Sequence, residues 1–405
     1  MADTENNKNS NSPAERAKGN TPALRFPGFT EPWCVSKLKS YLKENKERNK
    51  HSEFAKEEVL SVSGQDGIIN QIKHLGRSFA GKSVADYHVV RHGNIVYTKS
   101  PLKEYPYGIV KYNRGVDGIV STLYAVYETN NKSDGTFVEY YFASVNRINR
   151  YFKPIVRIGA KHDMKIGNEE VLQNTVCFPD IMEQKKIATF LSLLDERIAT
   201  QRRLIEDLEK LKTSIVDRCY RGNNNIKLGE FISQVSHRNR SNHTYKVMSV
   251  SNVRGFVPQS EQFADREIAS ENTMSYKIVT KDIFAYNPAR INIGSIARFK
   301  GNDTGIVSPM YVCFKVEGGL QPQYLEHFFE TRRFKNDVEV RLEGSVRRCL
   351  NFDALCEIEI PQLPLTEQVA ISSALETVIR KIAIEENIFY KMDKQRKHLL
   401  SKMFI

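Results

Sequence analysis

Apolar residues recur at steps of three and four, or of seven, along two long stretches of the chain. After Glu183-Gln184 they fall at Ile187, Leu191, Leu194, Ile198, Ile205, Leu208 and Ile215, and after Glu367-Gln368 at Ile371, Leu375, Val378, Ile382, Phe389, Met392 and Leu399. This spacing is the seam of a helix packed on another helix. The two seams correspond position by position at an offset of 184 residues, and their polar interruptions correspond too, Gln201 with Glu385 and Lys212 with Arg396. A helix from about Glu183 to Tyr220 runs roughly 55 Å at ~1.5 Å per residue, longer than one compact domain needs. The spacing predicts two long helices that pair with each other. In a chain ordered domain, helix, domain, helix, a pseudo-twofold axis makes them antiparallel and puts the globular parts at opposite ends of a rod.

Between the helical stretches the pattern shortens to β-branched and aromatic runs separated by Gly, Asn and Pro, which predict strands at Val59–Ser63, Gly93–Thr98 and Ile119–Tyr127. Their counterparts are Val247–Ser251, Ile283–Tyr286 and Ile306–Phe314. The copies align closely: Val59-Leu60-Ser61-Val62-Ser63 returns as Val247-Met248-Ser249-Val250-Ser251, and Gly118-Ile119-Val120-Ser121 returns as Gly305-Ile306-Val307-Ser308. Aromatic clusters predict short helices at Phe137–Asn146 and Gln323–Thr331. The expected fold class is α+β, with two similar strand-rich domains in tandem and two long helices forming an antiparallel coiled coil with pseudo-twofold symmetry. The boundaries read as a disordered polar tail at 1–22, a first domain at 23–180, a central helix at 181–222, a second domain at 223–362 and a C-terminal helix at 363–405.

Composition narrows the partners. The net charge is +12 over 405 residues, with a pI near 9.2, which favours a polyanion. No apolar run has the length of a membrane span and the first twenty residues lack the apolar stretch of a signal peptide, so the expectation is a cytoplasmic protein. Six scattered cysteines without a Cys-x-x-Cys pair argue against zinc and against a disulfide framework.

Basic residues gather where the two copies differ. Lys99, Lys103, Tyr105, Tyr107, Lys111, Asn113 and Arg114 lie between two strands of the first copy; Asn287, Arg290, Asn292, Arg298, Lys300 and Asn302 fill the matching stretch of the second. Arg and Lys meet phosphates, while Arg toward guanine and Asn toward adenine reach base edges. Arg77, Lys82 and Arg254 join the candidate DNA-binding set, as do Arg347 and Arg348 from a cluster with Arg332, Arg333, Lys335 and Arg341. The first copy has Arg147, Arg150, Lys153, Arg157, Lys161 and Lys165 in the comparable stretch.

Catalytic signatures are weak. The octapeptide from Gly76 to Ser83 fits the bare phosphate-loop string, but neither the apolar strand before it nor the helix after it is evident, and the cradle requires both. Asn287-Pro288-Ala289-Arg290 resembles the Asn-Pro-Pro-aromatic motif of adenine methyltransferases, yet has Arg where a flipped base would need a ring to stack on. The nine histidines show no metal-ligand spacing. The sequence assigns no catalytic, cofactor-binding or metal-binding residue to the chain.

The opening Leu24-Arg25-Phe26-Pro27-Gly28-Phe29 with Trp33, the Lys37-Leu38 and Lys227-Leu228 entries to each repeat, and Pro179 and Pro364 ahead of the two Glu-Gln pairs resemble the specificity subunit of type I restriction–modification systems. The resemblance runs from about Leu24 to the C-terminus. It implies two target-recognition domains, each reading one half of a bipartite DNA sequence. It also implies helices that act as a ruler and as the docking site of two methyltransferase subunits, with motor and restriction subunits besides. S-adenosylmethionine, ATP and Mg2+ are then expected in the partner subunits and none in this chain. Two other readings stay open: a self-contained DNA methyltransferase or nuclease whose active site is unrecognised, and a coiled-coil scaffold or membrane-surface adaptor with no sequence preference on DNA.

Overall fold

A computed structural model describes residues 19–81, 83–159, 164–222, 224–262, 272–344 and 348–405. Lys82, Lys161, Arg347 and the polar tail through residue 18 lie outside the described residues. The two seams lie on two unbroken helices, Ile181–Cys219 and Leu365–Lys402. The chain divides into two compact units, one comprising residues up to Thr200 with Phe389–Ile405 and the other Gln201–Ile388. Each unit therefore contains part of both long helices, which the sequence boundaries had set apart as segments of their own.

The units repeat one topology. The first has a four-stranded antiparallel sheet in the order Leu42–Glu44, Tyr124–Thr129, Ile95–Thr98, Val110–Tyr112, and the second has Ile232–Val235, Val312–Val316, Phe284–Tyr286, Ile296–Arg298. A second sheet in the second unit runs Gly255–Pro258, Lys246–Ser251, Gly305–Val307, Lys277–Val279, with one parallel pairing at its centre. The first unit has the same arrangement, as the hairpin of Leu60–Ser63 with Gly67–Asn70 and the antiparallel pair of His88–Val90 with Gly118–Val120, joined by a single parallel bridge from Val59 to Ile119.

Two predicted strands were each too long. Ile119–Tyr127 breaks at a turn closed by Tyr124 N–H on the Ser121 carbonyl, and Ile306–Phe314 breaks where Tyr311 N–H bonds the Ser308 carbonyl. The halves then enter different sheets, so one apolar run serves two layers. The short helices are Gly135–Phe142 and Pro322–Phe328, each followed by a second helix, Val145–Phe152 and Arg332–Arg341, in stretches read from sequence only as basic clusters. Arg147 is buried there and donates to the carbonyls of Tyr141 (2.7 Å) and Leu400 (3.0 Å), so it ties the short helix to the end of the C-terminal helix.

The Glu-Gln pairs that open the long helices have a physical role. Gln184 Nε2 donates to the carbonyls of Lys132 (3.0 Å) and Pro179 (2.9 Å), while its Oε1 accepts from Asp134 N–H (3.0 Å). Gln368 repeats this with Leu363 (2.8 Å) and Gln321 N–H (2.8 Å), clamping each long helix to the start of a short one. Glu183, fully buried, holds Arg25 through two 2.7 Å bonds, and Leu24 N–H reaches the Lys402 carbonyl. The Leu-Arg-Phe segment is thus a strap across both helices of the first unit. Asn20, read from sequence as part of the tail, is held in the fold, its carbonyl accepting from Trp33 N–H.

Helix ends dock by aromatic insertion. Phe404 sits among Trp33, Phe137 and Tyr141 in the first unit; Tyr220 stacks on Tyr324, 4.6 Å between centroids, in the second. Ile187 and Leu191 share a core with Leu399, Leu400 and Met403, and Val216 shares one with Leu375. Burying a leucine such as Leu375 contributes about 2 kcal/mol. The seam also carries polar pairs: Asp195 accepts from Arg396 (3.1 Å) and from the Tyr140 hydroxyl (2.9 Å), and Gln201 Nε2 donates to Glu385 Oε2 (2.5 Å). Residue numbers rise along one helix as they fall along the other, so the pair is antiparallel. Sliding by one turn would strip the buried Glu385 of Gln201, which fixes the register.

One buried histidine sets a pH dependence. His88, 1% exposed, has its pKa pushed down to about 4 by burial and by the charges of Arg48 and Lys99, against an ordinary 6.5. The unfolded chain takes up this proton below about pH 6.5 and the native chain only near pH 4, so its stabilising effect is complete above 6.5 and is lost as the pH falls toward 4. Between pH 7 and 4.5 wild type should lose about 2 kcal/mol more stability than His88→Gln. Paired urea titrations of the two proteins measure it; parallel losses would remove His88 as the cause.

Candidate nucleic-acid interface

The two units share a frame and differ at its tips. The hairpin turn between Leu60–Ser63 and Gly67–Asn70 is held by Ser63 Oγ, which accepts from Gln65 N–H (3.3 Å) and Asp66 N–H (3.1 Å). Its counterpart uses Ser251 Oγ, accepting from Val253 N–H and Arg254 N–H, both at 3.3 Å. Both turns close on a glycine with positive φ, Gly67 at +77° and Gly255 at +63°, a conformation that favours a residue without a Cβ. On this common backbone the exposed tip is Gly64-Gln65-Asp66 in one unit and Asn252-Val253-Arg254 in the other. Val253 is 84% exposed, an apolar side chain with nothing of its own chain to cover it.

In the second unit another turn adjoins this tip. Gly294, at φ +92°, comes so close to the Asn252 carbonyl that a Cβ would lie 3.3 Å from it, and Ser295 Oγ donates to the Val250 carbonyl at 2.9 Å. Arg290, Asn292 and Ile293 are exposed on that turn. The turn that carries Arg290, Asn292 and Ile293 thus lies beside the tip that carries Asn252, Val253 and Arg254. Of Arg254 the structure records one distant ion pair, 3.9 Å from Glu261. Donors of this kind beside small apolar groups suit the edges of bases in a groove.

Several other candidates are engaged within the fold. Asn113 is fully buried, its Nδ2 donating to the carbonyls of Arg91 and Val116 (both 3.1 Å) and its Oδ1 accepting from Gly115 N–H (3.0 Å), so it shapes a loop. Asn287 is buried too and accepts from Ala289 N–H (3.1 Å). Arg298, 7% exposed, is held by Asp282 (2.7 Å) and Glu326 (2.9 Å). Arg114 and Lys300 prove to be counterparts: the first pairs with Glu139 at 2.5 Å, the second with Glu326 at 2.9 Å, and Lys111 shares Glu139 at 3.1 Å. Lys99 is half-buried on Asn168 (3.0 Å), with its pKa lowered by burial and by Arg48. Tyr105 and Tyr107 pack on the first core. Arg348 is exposed but turned onto Glu339, 2.9 Å to its carbonyl.

Lys103 and Arg77 remain exposed in the first unit, Arg77 stacked 4.6 Å from the centre of the exposed Phe79 ring. Phe79 N–H bonds Gln71 Oε1 (2.7 Å), and Gln71 Nε2 reaches Ser61 Oγ (3.1 Å), so this loop is pinned beside the first hairpin. Gly76 ends the helix Gln71–Leu75 in a left-handed conformation; the loop follows the carbonyl end of a helix, the wrong polarity for a phosphate cradle. Sequence reasoning missed Gln65, Asp66, Asn252, Val253 and Ile293. The available signal was the repeated Ser-x-x-x-Gly with different residues inside it.

Among the described residues no group of three or more His, Cys, Asp or Glu is placed to hold a metal ion, and no helix is long and apolar enough to cross a membrane. No family model and no curated protein matches the chain. Solved structures do. The S subunit of a type I restriction-modification system from M. genitalium aligns over 95% of this chain and 99% of its own, with a TM-score of 0.56 at 16% identity. A structure described as showing complex assembly and conformational transition of the type I R-M system aligns over the same shares, with a TM-score of 0.54 at 15% identity. At these identities the likeness is one of fold, extending over nearly the whole chain.

Proposed function

We propose that this chain is the DNA-recognition subunit of a type I restriction–modification complex, each unit reading one half of a bipartite target. The observation that carries this reading is the repeated hairpin frame with unlike exposed tips, because a scaffold that presents different side chains on one backbone is suited to reading two different sequences in one manner. The net charge of +12 suits a polyanionic ligand. The fold shared with an S subunit over nearly its full length supports the assignment. In this reading partner methyltransferase subunits hold S-adenosylmethionine and modify adenine, and motor subunits use ATP and Mg2+, all in the cytoplasm.

The test is to map methylated adenines in a genome expressing the chain with its methyltransferase partner. A motif of two specified halves around a fixed unspecified gap is expected; one continuous motif would overturn the reading. A self-contained methyltransferase is the other outcome, and methylation by the purified chain with S-adenosylmethionine alone would establish it.

A further inference from the structure

A second feature is duplicated in its main bonds, and here the chemistry is conserved between the copies. Arg48-Asn49-Lys50 and Arg238-Asn239-Arg240 each surround an asparagine that is 1% exposed. Asn49 N–H bonds the Tyr87 carbonyl and Asn239 N–H the Tyr276 carbonyl, both at 3.0 Å. Ser52 N–H returns to the Asn49 carbonyl (3.1 Å), and Asn242 N–H to that of Asn239 (2.8 Å). Asn49 Nδ2 and Oδ1 bracket Phe54 at 2.8 and 3.0 Å; Asn239 brackets His243 at 2.9 and 3.0 Å. Even the backbone strain is shared, with Ser52 at φ +51° and Asn242 at +49°. Arg48 and Arg238 each bridge the edge of a sheet, to His88 and Lys277 respectively.

On this frame the residues that differ are neutral or weakly charged, His51 against Ser241 and Ser52 against Asn242, while a cation is kept on both sides of the asparagine. Arg238 and Arg240 are exposed and have no ion-pair partner among the described residues. Lys50 is exposed with one surface partner, Asp86, at 2.8 Å. No acidic residue occurs between Phe231 and Lys246. A feature that reads different bases in the two halves must differ between the units, as the hairpin tips do. A basic turn that is alike in both meets what both halves share, which is the sugar–phosphate backbone.

Resting on the recognition reading above, we propose that turns 48–52 and 238–242 are a duplicated phosphate-binding site, one for each half of the DNA target. The buried asparagine pre-orders the turn, so little side-chain and loop freedom remains to be lost when the cations meet phosphate.

The test uses the full chain carrying R238Q and R240Q, with one duplex bearing the mapped target and one of mixed sequence. Binding should weaken by the same factor on both duplexes, and the slope of log affinity against log salt should fall by about 0.9 for each lost contact, close to two in all. The melting temperature should stay at the wild-type value, since both side chains are exposed. An unchanged slope overturns the proposal. So does a loss confined to the target duplex, which would make the turn a reader of bases. Failure of the recognition reading is a separate result: wild type would then bind the two duplexes equally, while the slope of the variant still decides whether these turns touch phosphate.

Discussion

Replacing Asn252-Val253-Arg254 by Gly-Gln-Asp, the tip of the other unit, should abolish recognition of one half of the target and leave the other half intact. The backbone already accepts both sequences, since Ser63 and Ser251 hold the same turn and Gly67 and Gly255 close it with the same sign of φ. Folding should therefore be little affected, and the effect falls on contacts. Two base-edge interactions are removed and a carboxylate is put in place of a guanidinium; at about 1–3 kcal/mol for each good contact, affinity for the cognate half-site should fall by about thirtyfold to about ten-thousandfold. Binding to the mixed-sequence duplex should change far less. The readout is the methylation map together with binding to duplexes mutated in one half at a time. If both halves lose specificity together, the tips do not act one per half.

How much of this was legible in the sequence follows from the range of the signals. The seam was readable because its period is local: Ile187, Leu191, Leu375 and their neighbours declare a buried face from spacing alone. The strand runs were readable as apolar, but the turns at Ser121 and Ser308 that send their halves to separate sheets were not, since burial on both sides erases the alternation that marks a break. Asparagine misled most. Asn113 and Asn287 look like base readers because an asparagine that brackets a loop and one that faces a groove have the same composition around them, and only the fold reveals that backbone carbonyls take the amide of Asn113 and that a backbone N–H takes the Oδ1 of Asn287. Arg298 and Arg147 are similar cases: a buried arginine is marked by distant partners, Glu326 for one and the Leu400 carbonyl for the other, that no local window contains. The Arg-Asn-Lys and Arg-Asn-Arg repeats are visible but short, and gain weight only when the asparagines prove to hold their turns in the same way.

Inserting four residues into both long helices, after Thr200 and after Ile388, should lengthen the unread gap of the target by one or two base pairs while both half-sequences stay the same. The two insertion points lie at the same level of the antiparallel pair, next to the Gln201–Glu385 contact, and they coincide with the division of the chain into units. Each helix runs unbroken through that division, so the added residues continue helix in both. Four residues add ~6 Å of rise and advance the helix by about 40°, a displacement the seam absorbs by slight unwinding. One base pair rises ~3.4 Å and turns by about 35°, so the added twist suits one further base pair and the added rise nearly two. Insertion into a single helix is expected to behave differently. Ile187 and Leu191 are held to Leu399 on one side and Val216 shares a core with Leu375 on the other, so an unmatched insertion must bulge out or break a pairing. One residue in both helices turns each seam by about 100° and should abolish activity altogether. Methylation maps of the three variants separate these outcomes. A folded, active complex of the doubly inserted chain that still methylates at the original spacing would show that something other than the paired helices sets the distance.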